Sequence, residues 1–154
     1  MERRLTEEQI TKSIIRWLTA FEWEIVCYDF PQSGTGYVIH SSSPDRGKNK
    51  GAIIPDIVAI KDGVCVFFEN KDRFVLADFF KINGLILENE YQDGIAKLLS
   101  RYQVDRIFYG VGLPFTTTTS QKMEQHRDLI DFVLQVDLDK AVLVTYQNYP
   151  IFST

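Results

Sequence analysis

Between Leu5 and Phe21 the apolar residues Ile10, Ile14, Trp17, Leu18 and Phe21 recur at spacings of three and four, the period that lines one face of an α-helix. Thr6 followed by Gln9 makes a capping-box pattern at the start of this stretch, so the spacing predicts an amphipathic helix. The period then changes. Ile25, Val26, Cys27 and Tyr28 lie within a β-rich run, Glu24 to Phe30, that Pro31 ends, and the run reads as a strand. Residues 32–50 follow with Gly34, Gly36, three consecutive serines, Pro44 and Gly47, turn formers interleaved with the cations Arg46, Lys48 and Lys50. They predict a mobile basic loop.

Ile53 to Ile60 and Val64 to Lys71 are two apolar runs separated by Asp62-Gly63, the dipeptide that most strongly marks a two-residue hairpin turn. Phe74 to Leu87 is apolar but interrupted by Asn83-Gly84, which predicts a short helix or an irregular segment. Ile95, Leu98, Leu99 and Tyr102 give Glu90 to Tyr102 a helical period, and Arg106 to Val111 is a short strand closed by Gly112 and Pro114. A helix over Gln121 to Leu134, with Ser120 as its N-cap, and a strand over Ala141 to Tyr146 complete the chain. The expected order is helix, three strands, helix, strand, then an added helix and strand, an α/β fold in one domain over 1–154.

Composition narrows the class. A chain of 154 residues, 45% apolar and 25% charged, has the size and balance of one globular domain that buries about two-thirds of its unfolded surface. Cys27 and Cys65 lie in strand-like apolar runs without the spacing that holds zinc, and are expected buried and reduced. The opening residues MERRLTEEQ lack the apolar core of a secretion signal, and no apolar run approaches the roughly 20 residues of a spanning helix, so a cytoplasmic protein free of the membrane is expected. A net charge of -4 argues against a nonspecific nucleic-acid coat protein. It leaves room for a site that gathers carboxylates around a metal while meeting phosphates through local basic patches.

The hairpin supplies such a site. With Asp62 and Gly63 central in the turn, Lys61 faces Val64, and counting outward sets Asp56 opposite Glu69. Alternation along the strand puts Glu69 and Lys71 on one face and Asn70 on the other. Three charged groups thus converge at the end of two otherwise apolar strands, a costly arrangement unless a cation compensates it. A hard, oxygen-liganded ion such as magnesium would relieve the repulsion and keep positions open for water and phosphate. Lys71 beside it could deprotonate or orient the attacking water, or stabilise charge building on phosphorus.

Pro55-Asp56, a spacer of twelve residues, then Glu69-Asn70-Lys71 resembles the motif of the PD-(D/E)XK nuclease superfamily, which includes many type II restriction endonucleases. That superfamily's core, a helix, three strands, a helix and a strand in a mixed sheet flanked by helices, would span about 6–112, leaving 113–154 as a C-terminal extension. The resemblance implies that Asp56 and Glu69 bind Mg2+, with Mn2+ able to substitute, and that Lys71 assists the water in hydrolysing a DNA phosphodiester. Many members add a carboxylate from the first helix. Here Glu7, three residues before Ile10 on the apolar stripe, is the candidate, with Glu8 beside it.

A small restriction-type enzyme cutting a palindromic duplex would act as a homodimer, with a companion DNA methyltransferase as a further partner, and Arg46, Lys48 and Lys50 would clamp phosphates. The alternatives are a structure-selective nuclease of the junction-resolving or repair kind, and a catalytically silent nucleic-acid-binding module. RNA would undergo the same phosphodiester chemistry. Pro44-Asp45 lies in a turn-rich loop and reads as a decoy, His40 and His126 lack partner patterns, and Tyr37, Tyr91 and Tyr102 read as packing or groove residues.

Overall fold

Asp62 and Gly63 both hold positive φ, 50° and 81°, as a type I′ turn demands and as Asp and Gly tolerate. In the computed structural model, which describes residues 4–41 and 52–152, they join β2 (Ile57–Lys61) to β3 (Val64–Asn70). The pair is antiparallel, with Lys61 opposite Val64 and Ile57 opposite Phe68, the register that the turn dictates. β1 (Glu24–Tyr28) joins β2 antiparallel. On the other side β4 (Arg106–Pro114) and β5 (Phe132–Val136) run parallel to β3, and β6 (Val142–Gln147) pairs antiparallel with β5. The result is an α/β fold whose six-stranded mixed sheet keeps its strands in chain order. The carboxyl ends of β3, β4 and β5 therefore lie at one end of the sheet.

Among the described residues four α-helices flank it: α1 (Glu7–Ala20), α2 (Leu76–Leu87), α3 (Gln92–Leu98) and α4 (Thr117–Glu124). The capping box at α1 is formed, Thr6 N–H donating to Gln9 Oε1 at 2.9 Å and Gln9 N–H to Thr6 Oγ1 at 3.1 Å. Ile10, Ile14 and Leu18 of α1 are fully buried against Ile57, Ala59, Val66, Phe68, Phe132 and Leu134, a contribution of about 1.5–3 kcal/mol for each side chain. The other sheet face, with Val58, Ile60, Cys65 and Phe67, is covered by Phe79 and Ile82 of α2, Ile95 of α3 and Met123 of α4. Among the described residues no helix is long and apolar enough to cross a membrane.

Several elements depart from the sequence expectation. The helix expected over 121–134 is instead α4, beginning at Thr117, then a 3-10 turn (Arg127–Leu129) and the strand β5. Thr116, not Ser120, is the N-cap, paired with Thr119 in a capping box. β5 misleads because it is buried on both faces, so Phe132, Val133, Leu134 and Val136 show no alternation, the signature of an interior parallel strand. α2 runs unbroken through Asn83-Gly84; the Asn83 amide donates to Leu129 O at 3.0 Å, a tertiary bond that overrides the local preference for a turn. β2 begins only at Ile57, with Ile53 limited to an isolated bridge to Ile39. Cys65 is buried and Cys27 half-buried, and both are free thiols.

Candidate active site

Asp56 stands just before β2, Glu69 is the penultimate residue of β3, and Lys71 follows that strand directly. Side-chain alternation sends Asp56 to the face of Val58 and Ile60, and Glu69 to the face of Cys65 and Phe67, which is one face, the α2 side. Asn70 points the other way. Its amide Nδ2 donates to Thr11 Oγ1 of α1 at 3.1 Å, with both residues fully buried. Its backbone N–H donates to Asp56 Oδ2 at 2.6 Å, so the residue between Glu69 and Lys71 anchors the first carboxylate.

Lys71 lies at the centre of a charged cluster. Its Nζ is 3.8 Å from Glu69 Oε1 and 3.6 Å from Glu7 Oε1. Glu7 is the first residue of α1 and reaches over the strand ends from the opposite face of the sheet. Glu8 turns away and pairs with Lys12 at 2.9 Å, so the structure brings Glu7, and not Glu8, to the cluster. Two residues that the sequence reading missed join from α2. Lys81 Nζ is 3.6 Å from Glu69 Oε2, and Asp78 is close enough for its charge to act on both Glu69 and Lys71. Their spacing of three on one helix was the available signal, hidden by the expectation of an irregular segment there.

The electrostatics follow from this crowding. Burial first, then the neighbouring Glu69 carboxylate, pushes Asp56 up to about 8, against the pull of the Asn70 N–H and with a further push from Glu7. Burial also raises Glu69; Lys81 opposes that, Asp78 adds to it, and Lys71 opposes it. For Lys71, burial works to lower the ammonium's pKa, but Asp78, Glu69, Glu7 and Asp56 outweigh it and hold the group above its ordinary value. Burial raises Asp78 as well, so the cluster has three carboxylates reluctant to ionise, Asp56, Glu69 and Asp78, beside a lysine reluctant to lose its proton.

The remaining candidates lie elsewhere. Arg46, Lys48 and Lys50, with Pro44-Asp45, are outside the described residues. His40 is exposed, and His126 stacks on Phe74 with ring centroids 5.8 Å apart. Tyr37, Tyr91 and Tyr102 pack half-buried against the core. The chain matches no protein-family model, no curated protein and no solved structure.

Proposed function

We propose that the protein is a magnesium-dependent endonuclease that hydrolyses DNA phosphodiester bonds, built on a restriction endonuclease-like core and acting on duplex DNA as a homodimer. The observation that carries this reading is the meeting of Asp56 and Glu69, two half-buried carboxylates raised by partial burial, at a strand end where Lys71 stands beside them. Such a pair is stabilised by a cation. The element order supports the same reading: α1, β1, β2, β3, α2 and β4 follow the superfamily's order, with α3 inserted before β4.

The donor set fits magnesium. Among the described residues no three His, Cys, Asp or Glu side chains gather around one point, but this ion takes one or two protein carboxylates and leaves its other positions to water and substrate phosphate. Manganese accepts the same oxygen donors. When bound, the ion supplies Lewis-acid polarisation of the phosphate and a more acidic water. Asp56 and Glu69 are the residues that would hold it, with the Asn70 N–H fixing the Asp56 rotamer.

Lys71 stays protonated among four carboxylates, which favours orienting the water and stabilising charge on phosphorus over abstracting a proton. Glu7, on the other side of Lys71, aims its ammonium. In a restriction system the natural companion is a DNA methyltransferase.

The test is incubation of the purified protein with plasmid and phage DNA, with magnesium or with chelator, beside Lys71→Ala. Discrete fragments that vanish on chelation and in the variant are expected. No cleavage of DNA under any divalent metal would overturn the reading, and sedimentation showing only monomer on cleaved duplex would overturn the homodimer.

A further inference from the structure

A cavity of about 540 Å3 opens beside the candidate centre, between the residues entering α1, the turn that leaves Lys71, and the carboxyl ends of β4 and β5. In open α/β sheets the carboxyl ends of parallel strands are where ligands settle. Its lining combines two chemistries. Arg4, Arg73 and Lys122 bring three exposed cations against one acid, Asp72, whose Oδ1 already accepts from Arg73 at 2.8 Å. In a chain of net charge -4 this is a local reversal of sign. Beside the cations lie Phe74, Phe115 and Leu138, and the last two are each 51% exposed although large and apolar.

A duplex presents its phosphates outward and its bases only edge-on in the grooves, so the outside of a duplex has no use for an apolar hollow. A phosphate alone needs the cations and leaves the aromatic wall unexplained. A single nucleotide with its base exposed uses both, the base face against the apolar wall and the phosphate among the cations, as proteins that bind unpaired strands combine stacking platforms with basic grooves. The volume is that of a small-ligand cleft. We propose that this cavity receives one unpaired nucleotide of the strand to be cut, its base against Phe115 and Leu138 and its phosphate among Arg4, Arg73 and Lys122. The inference rests on the nuclease reading for the words "to be cut", and it defines the substrate as nucleic acid with a nucleotide that is unpaired or extruded at the moment of binding.

The test measures fluorescence anisotropy of a labelled 12-nucleotide single strand, and of the blunt duplex of the same sequence, with full-length protein in chelator. The single strand is expected to bind more tightly than the duplex, and Phe115→Ala to weaken single-strand binding about tenfold, the loss of one stacked base, while Phe115→Tyr retains it. Equal single-strand binding by wild type and a folded Phe115→Ala overturns the proposal, and does so even if plasmid cleavage is intact. Phe115-dependent binding without cleavage in any metal sustains the cavity as a nucleotide site and overturns the nuclease reading alone.

Discussion

Asp56 is the residue on which the proposed chemistry turns, and its protonation gives a direct check. Its carboxyl moves from an ordinary 3.8 to about 8 in the folded chain, so between those values the folded state holds a proton that the unfolded state releases. Stability from this group is complete below about 4, declines as pH rises toward 8 and is gone above it. Asp56→Asn removes the charge and keeps the shape. In metal-free protein the variant should melt higher than wild type at pH 9, by several degrees, with the gap closing toward pH 5, and it should not cleave. Equal melting temperatures at pH 9 would mean that the carboxylate is not confined as described. Lys71→Ala should leave the fold intact and lower the single-turnover cleavage rate about 10^2- to 10^3-fold, the loss of a group that stabilises charge at the transition state. A weaker substrate affinity with an unchanged rate would place Lys71 in binding instead.

One tie that joins the elements at the site runs from α1 to β3. Thr11→Val keeps the side-chain volume but removes the oxygen to which the buried Asn70 amide donates, leaving a buried donor unpaired at about 1–3 kcal/mol. The melting temperature should fall by roughly 3–10 °C, and cleavage should weaken with it, because Asn70 also holds Asp56; an unchanged melt would show that the tie is not made. Gly112 lets this packing happen, since a Cβ there would run into the Asn70 amide and Ile14. The meeting of Asp56 with Glu69 was legible before the structure because one turn, Asp62-Gly63, sets the register of every pair behind it. Glu7 was legible as a position on the helix stripe, but its choice over Glu8 needed the structure. β5 was not legible, because a strand buried on both faces between β4 and β6 carries no alternation, and its apolar cluster counts equally well toward a helix. Lys81 and Asp78 were lost with α2, whose passage through Asn83-Gly84 depends on a bond to Leu129 far along the chain.

The whole molecule carries net charge -4, and its candidate centre concentrates Asp56, Glu69, Glu7 and Asp78 where the proposed substrate's phosphate would arrive. Two unit charges at about 4 Å interact with about 4 kcal/mol at an effective dielectric near 20, so duplex DNA should approach the metal-free centre poorly. Affinity measured by anisotropy at fixed ionic strength should rise about tenfold or more when calcium, which takes the same oxygen ligands, replaces chelator. Lys71 and Lys81 are paired with carboxylates of the centre itself, which leaves Arg4, Lys122 and Arg73, the last shared with Asp72, as the cations gathered at the adjoining cavity. One phosphate held among those cations gives a slope of about -1 for log affinity against log salt. A slope of about -1 would assign binding to that cavity rim. A markedly steeper slope would bring further cations and phosphates into contact, Arg46, Lys48 and Lys50 first among them, and an Arg46→Ala, Lys48→Ala, Lys50→Ala variant should then return it to about -1. A slope near zero, with or without calcium, would mean that phosphates do not contact this protein, and the nucleic-acid reading would fall with it.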